Sequence, residues 1–278
     1  MGNRPVPLRQ NRLYMLSVDR LSITISKNTI LEEVSFSIPE GATLCIAGES
    51  GSGKSSLLKA LNGLIPARFE KLSFHPRTCP AITHKGRWQG PPGLQQSRWV
   101  MQDPIAALNP RLSLGASIGE GAYSKRLSGA EQDKAVAAAL DDVELPPALA
   151  TRRPTEVSLG QAQRACLARA LVAQPDLIFF DEPLSALDAI VQKQIAATMK
   201  RIQARYGNTF VIVTHDLGFA ATFADQMLVL RNGRMEACQP AKMFFERPAS
   251  RYCRDLIEAA RDLGSLPQDP LMADEGHQ

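Results

Sequence analysis

Ala42-Thr43-Leu44-Cys45-Ile46-Ala47-Gly48-Glu49-Ser50-Gly51-Ser52-Gly53-Lys54-Ser55-Ser56 decides the fold. Its first six residues form a short, almost wholly apolar run, as a strand buried on both faces must. A glycine-rich loop follows, and Ser55 to Leu64 reads as a helix. Gly48 to Ser55 matches the spacing GxxxxGK[ST], which between a strand and a helix marks a phosphate-binding loop. The glycines let successive backbone N–H groups turn inward onto phosphate oxygens, and the helix N-terminus adds its positive end. Lys54 is expected to reach the outer phosphates of a nucleotide, and Ser55 to ligate Mg²⁺. The bland alternative is a plain glycine-rich turn, and the strand and helix flanks argue against it.

Upstream, Leu16 to Ile25 alternates as a strand, with Leu21, Ile23 and Ile25 on one face. Val34, Phe36 and Ile38 repeat the pattern until Pro39-Glu40-Gly41 ends it as a turn. Downstream, residues 67–97 are punctuated by Pro76, Pro80, Pro91 and Pro92, which predicts short strands and loops. Ser128-Gly129-Ala130-Glu131 reads as a capping box opening a helix through Val143. Gln161 to Ala173 and Ile190 to Tyr206 are further helices. Leu177 to Phe180 and Phe210 to Val213 are further buried strands, ending in Asp181-Glu182 and Thr214-His215-Asp216. Met227 to Leu230 and Met235 to Ala237 flank a turn and form a hairpin, and Tyr252 to Leu263 is one last helix. Buried strands alternating with helices imply an α/β fold with a mainly parallel sheet and ligands at the strand C-terminal ends. Three polar clusters sit at such ends: residues 48–56, Asp181-Glu182, and His215. No internal repeat is visible, so one cassette is expected.

Asp181 is suited to hold a divalent cation, and Glu182 beside it to polarise an attacking water. An acidic pair after an apolar strand is on its own more often a strand end or helix cap. A single histidine is usually structural, but His215 ends a buried strand, where a neutral imidazole can orient water beside a phosphate.

Size and composition narrow the class. The chain has 278 residues, with 44% apolar and 22% charged, as in ordinary globular proteins. A net charge of +4 is too mild to imply nucleic acid. The cysteines are scattered with no CxxC, which suits reduced thiols. Arg4, Arg9 and Arg12 precede no apolar stretch, so no signal peptide is read. No run approaches the roughly 18 apolar residues that span a bilayer, so any transport pore must come from another chain. His75, Cys79 and His84 are irregularly spaced and lack a fourth ligand for a zinc site.

The order of the phosphate loop, Gln102, Val157-Ser158-Leu159-Gly160-Gln161, Asp181-Glu182, Ser185-Ala186-Leu187-Asp188 and His215 closely resembles ABC-type ATPases over roughly residues 16–260. Within that family, Met101 to Pro110 and the stretch Glu246 to Leu256 look like the peptide/nickel importer subfamily. The resemblance implies a P-loop NTPase fold over residues 14–240. Its mainly parallel sheet would have flanking helices, an antiparallel β subdomain and an inserted α-helical subdomain at about 103–158. Residues 241–278 would form a C-terminal extension.

ATP and Mg²⁺ are the implied ligands. Gly48, Glu49, Ser50, Gly51, Ser52, Gly53, Lys54, Ser55 and Ser56 would bind one nucleotide. Ser158, Gly160 and Gln161 would face the γ-phosphate held by the opposite subunit, and Asp188 would link the two sites. Ser55, Gln102 and Asp181 would serve the metal, and Glu182, His215 and Gln102 the chemistry. The implied partners are a second ABC ATPase, in a homodimer or heterodimer, integral membrane permease subunits and, indirectly, a solute-binding protein, with no nucleic acid. The implied place is the cytoplasmic face of the inner membrane, as a peripheral subunit powering uptake of a peptide, nickel or a metal–chelator complex. The alternative is a non-transport ATPase accessory to a soluble complex such as one for phosphonate breakdown. Ribosome or nucleic-acid ATPases usually carry two cassettes or a long coiled coil, and neither is visible.

Two positions depart from the family pattern. Leu159 replaces the first glycine of Leu-Ser-Gly-Gly-Gln, where a side chain is expected to crowd a phosphate or strain the backbone. Ile25 stands where an aromatic usually stacks on adenine, and Tyr14 is a poor substitute by position. The first departure suggests unequal nucleotide sites if the partner is a different ATPase.

Overall fold

A computed structural model describes residues 14–77, 82–88, 97–125 and 127–267. Arg4, Arg9, Arg12, Cys79, Pro80, Pro91, Pro92 and the tail beyond residue 267 lie outside them. In chain order the elements are β1 (Tyr14–Ile25), β2 (Asn28–Pro39), β3 (Thr43–Ala47), α1 (Lys54–Leu61), β4 (Ala67–Phe74), β5 (Ile82–Trp88) and β6 (Ser97–Val100). Then come α2 (Pro104–Ala107), α3 (Leu114–Gly119), α4 (Gly129–Asp142), α5 (Leu159–Val172), β7 (Leu177–Asp181), α6 (Ala189–Tyr206) and β8 (Thr209–Val213). The chain continues through α7 (Leu217–Phe223), β9 (Gln226–Arg231), β10 (Arg234–Pro240), α8 (Ala241–Glu246) and α9 (Arg251–Asp262).

The strands form a ten-stranded sheet in the order β5-β4-β1-β2-β10-β9-β3-β8-β7-β6. From β9 to β6 every pairing is parallel. From β5 to β2 every pairing is antiparallel. β10 joins the halves, antiparallel to β9 and parallel to β2 through Arg234 opposite Glu32.

The central strands explain why their sequences are apolar throughout. Cys45 and Ala47 of β3, Ile178 and Phe180 of β7, and Phe210 and Ile212 of β8 face one core. Leu44 and Ile46, Leu177 and Phe179, and Val211 and Val213 face a second. The period of two sends alternate side chains to opposite faces, and both faces are covered. Leu57, Leu58 and Leu61 of α1 cover one with β1, β2 and β4. Helices α5 and α9 cover the other. Full burial of each Val, Leu, Ile or Phe contributes about 1.5–3 kcal/mol, which makes these strands the rigid platform for the loops at their ends.

The described parts of residues 67–97 hold two regular strands. β4 and β5 run eight and seven residues, and β4 pairs with β1, Leu16 opposite Phe74. Pro76 lies after β4 and interrupts no ladder. Edge strand β6 lies in a stretch with no clear alternation. It pairs with β7 and delivers Gln102 to the site. At α4, the Glu131 carboxylate accepts from both N–H and hydroxyl of Ser128, at 2.9 and 2.7 Å. Within the helical stretch between β6 and β7, Arg164 of α5 donates to the Val143 carbonyl at 2.7 Å, and Glu144 of that stretch accepts from Arg201 of α6, the helix after β7, at 2.6 Å.

Candidate functional site

The phosphate loop leaves β3 at its C-terminal end and enters α1 at Lys54. Two of its glycines are required by contact and by backbone angle. A Cβ on Gly48, at φ 142°, would lie 2.1 Å from the Leu230 carbonyl oxygen. A Cβ on Gly53, at φ 102°, would lie 2.4 Å from Leu31 Cδ2. The loop is therefore wedged between β9 and β2, with its first turn closed by the Ser52 N–H donating to the Glu49 carbonyl at 3.2 Å. Lys54 is buried, and its ammonium donates to the carbonyls of Gly48 and Glu49 at 2.8 and 2.7 Å. Burial lowers its pKa, opposed by the carboxylates of Glu182, Asp181 and Glu49. Ser52 Oγ is buried with no partner among the described residues, an orphaned donor that a phosphate oxygen would satisfy. Gly51 leaves open space where a side chain would stand, and Ser50 and Glu49 are exposed.

The ends of β7 and β8 face this loop. Ser55 Oγ donates to Asp181 Oδ1 at 3.1 Å. Asp181 is 7% exposed, and burial raises its carboxyl pKa against the opposing Ser55 bond. Glu182 takes a left-handed φ of 46°, an uncommon conformation for a side-chain-bearing residue that needs outside support. Its N–H donates to the Val213 carbonyl at 2.9 Å, which ties it to the end of β8. Its Oε2 accepts from Gln102 Nε2 at 3.2 Å and lies 3.2 Å from His215 Nδ1. The exposed His215 imidazole thus shares one carboxylate oxygen with an amide arriving from the end of β6.

A second group stands at the N-terminus of α5. Ser158 caps that helix: its Oγ accepts from the Gln161 N–H at 3.3 Å, while Gln161 Oε1 accepts from the Ser158 N–H at 3.0 Å. Gly160 has a packing reason to be glycine, because a Cβ there would lie 2.7 Å from Val191 Cγ1. Asp188 caps α6 by accepting from the N–H groups of Ile190 and Val191 at 3.1 and 3.0 Å. Among the described residues no hydrogen bond joins Ser158, Gly160, Gln161 or Asp188 to the phosphate loop of the same chain. The backbone strain expected at Leu159 is absent. It is the first residue of α5 and is not among the positive-φ residues, because helical geometry suits leucine. Ile25 ends β1 beside the turn to β2 and is 41% exposed, whereas Tyr14 starts the same strand opposite Pro39.

Sequence reasoning gave no role to Tyr252, whose hydroxyl accepts from the Glu49 N–H of the phosphate loop at 3.3 Å. The sequence marks it only as the start of a helix and as part of the stretch Glu246 to Leu256 that resembles the importer subfamily, and neither signal says which loop lies above the helix.

A glycine-rich loop at the end of a buried parallel strand, facing paired carboxylates at the end of β7, two strands away, defines a nucleotide-binding cassette of the phosphate-loop class. A family model described as ABC transporter matches residues 31–185, and the chain belongs to the ABC transporter family. It is 35% identical over 238 residues to a peptidoglycan transport ATP-binding protein of Agrobacterium fabrum, covering 85% of this chain and 43% of that one. It is 34% identical over 231 residues to a provisionally named peptide import ATP-binding protein of Brucella ovis, covering 83% of this chain and 72% of the relative. A glutathione import ATP-binding protein of Pectobacterium atrosepticum is 35% identical over 235 residues, covering 82% of this chain and 36% of the relative. The chain spans about half the length of the first curated relatives it matches, 43% and 50%.

Among solved structures, a dimeric ATP-binding cassette in a post-hydrolysis state with ADP and Pi superposes with a TM-score of 0.67 at 25% identity, covering 82% of this chain and 99% of that one. A component of an ABC transporter complex from Clostridium perfringens gives 0.70 at 24% identity, covering 91% of this chain and 99% of that one, and shares the fold.

Proposed function

We propose that this chain binds Mg-ATP and hydrolyses it as one half of a cassette dimer, powering an importer whose pore lies on separate membrane subunits. The observation that carries the reading is the convergence on Glu182. Groups from the ends of β6, β7 and β8 meet within 3.2 Å at one carboxylate oxygen, beside a loop with a buried, unpartnered hydroxyl.

The chain's own groups divide the work. The amides of residues 48–56 left free by the loop's own bonds, Ser52 Oγ and Lys54 hold the phosphates, and the exposed Ile25 offers an apolar surface to adenine. Ser55 Oγ and Asp181 Oδ1, 3.1 Å apart, are hard oxygen donors of the kind Mg²⁺ takes, with Gln102 as a further oxygen. Bound there, Mg²⁺ would neutralise charge on the phosphate oxygens. Glu182 draws the proton of the attacking water, and His215 and Gln102 hold its carboxylate in place. Ser158 and Asp188 are exposed, and with Gly160 and Gln161 they would serve a nucleotide held by a partner. The dimeric state of the neighbouring solved cassette supports that arrangement.

The names of the relatives support import of a peptide-like solute and favour it over an accessory role in a soluble complex. No helix of the described residues is long and apolar enough to cross a membrane. As the relatives' names as import ATP-binding proteins suggest, the chain would sit on the cytoplasmic face, against permease subunits fed by a solute-binding protein. Co-purification with a multi-spanning permease, and ATPase activity stimulated by the loaded solute-binding protein, are the expected results. A stable soluble enzyme complex without membrane subunits would contradict the import reading.

A further inference from the structure

The peptide unit between Gly48 and Glu49 is gripped from both sides. Its carbonyl accepts from Lys54 Nζ at 2.8 Å, and its N–H donates to the Tyr252 hydroxyl at 3.3 Å. The next carbonyl, that of Glu49, accepts from the same ammonium at 2.7 Å. Lys54 is thus presented from two carbonyls, and that of Gly48 lies in the peptide plane whose opposite edge Tyr252 holds.

Tyr252 is itself fixed. It is the second residue of α9 and is 7% exposed. The Ser250 hydroxyl caps the helix by accepting from the Cys253 N–H at 3.2 Å. Cys253, Ile257 and Ala260 of α9 are buried in the same core as Cys45 and Ala47 of β3, and the helix packs against α7 and β10. The Arg231 guanidinium carbon lies 4.4 Å from the Tyr252 ring centre, a cation–π geometry that holds the ring face. Arg231 ends β9, directly after Leu230, whose carbonyl abuts Gly48. Burial, and then the Glu49 carboxylate, push the phenol pKa up against the Glu49 N–H bond and Arg231, which keeps the hydroxyl protonated.

We propose that Tyr252 is a positioning residue for the phosphate loop: its hydroxyl sets the plane of the Gly48–Glu49 peptide and so the Gly48 carbonyl, one of the two that aim Lys54 at the nucleotide. The C-terminal extension is then part of the nucleotide site. The inference rests on reading that loop as the site of Mg-ATP. The loop grips substrate in the ground state and in the transition state alike, so loosening it raises KM more than it lowers kcat.

The test is Tyr252→Phe, which keeps the ring, its packing and its cation and removes only the hydroxyl. In the assembled complex the variant is expected to raise KM for Mg-ATP about three- to tenfold, with kcat changed less than about twofold and ADP affinity lowered in parallel, as loss of one uniform binding contact requires. An unchanged KM in a wild-type-like folded variant overturns the proposal. A fall in kcat at constant KM does so as well. Failure of the wild-type complex to bind Mg-ATP overturns the reading of the loop itself, and is read separately. Residue-resolved amide exchange on the wild-type chain needs no variant: the Glu49 N–H is expected to exchange at least about threefold more slowly than that of its exposed neighbour Ser50. Equal rates overturn the proposal.

Discussion

His215 Nδ1 lies 3.2 Å from Glu182 Oε2, although the two side chains stand on the ends of different strands. Gln102 reaches the same oxygen from a third. Glu182 is therefore held by two neighbours, and its unusual backbone angle is supported by the bond from its N–H to Val213.

Glu182→Gln keeps the size and hydrogen-bonding reach of the side chain and removes the base. Turnover is expected to fall by about 10²–10⁴, with Mg-ATP affinity retained and a closed, ATP-bound dimer trapped on size exclusion. Steady-state hydrolysis and nucleotide titration check both parts. Undiminished turnover would take the role of base away from Glu182.

Asp181 carries a pH signature. Its pKa is raised in the folded chain, mainly by burial, so the folded state holds its proton more tightly than the unfolded state. The stability it contributes is fully present below the ordinary carboxylate pKa and is lost as pH rises through the raised folded value. Lys54, lowered by burial, has the opposite sign in its own alkaline window. At neutral pH the nucleotide-free chain is therefore expected to melt about 2 °C higher as Asp181→Asn, while losing the extra stabilisation that Mg²⁺ gives with ATP. Thermal melts from pH 5 to 8, with and without Mg-ATP, decide this. A variant that melts lower at every pH would contradict it.

Gly160 packs against Val191, and a Cβ would sit 2.7 Å from Val191 Cγ1. Gly160→Ala is expected to cost about 1–3 kcal/mol by overpacking, measured by denaturant unfolding. Adding Val191→Ala should recover at least half of it. No recovery would mean that the contact does not set the cost.

Leu159 begins a helix with ordinary backbone angles, so any effect on a partner's phosphate is steric. In the assembled complex Leu159→Gly is expected to raise the ATPase rate at least about twofold, with Mg-ATP affinity of this chain's own loop unchanged. An identical rate would remove the idea of unequal sites.

The sequence made the central strands legible because β3, β7 and β8 are contiguous apolar runs buried on both faces, each ending in the polar residues that the structure brings together. The loop, the Ser55–Asp181 pair and the approach of His215 to Glu182 lie where strand C-terminal ends predict, whereas the family resemblance alone marks Gln102. Other features depend on distant partners. β4 pairs with β1 and β5 with β4, ladders that local proline content obscures. Gly160 is explained by Val191 on another helix, and the strain expected at Leu159 vanished because that residue is helical. Tyr252 touches a loop 203 positions away, and no local pattern announces such a contact.

Isothermal titration of Mg-ATP into the folded, partnered chain tests the central claim most directly. The account predicts saturable binding at one site per chain, with Kd between about 1 μM and 1 mM, weakened at least about thirtyfold by Lys54→Ala. Absence of binding with Mg²⁺ present, or equal binding by Lys54→Ala, would contradict it.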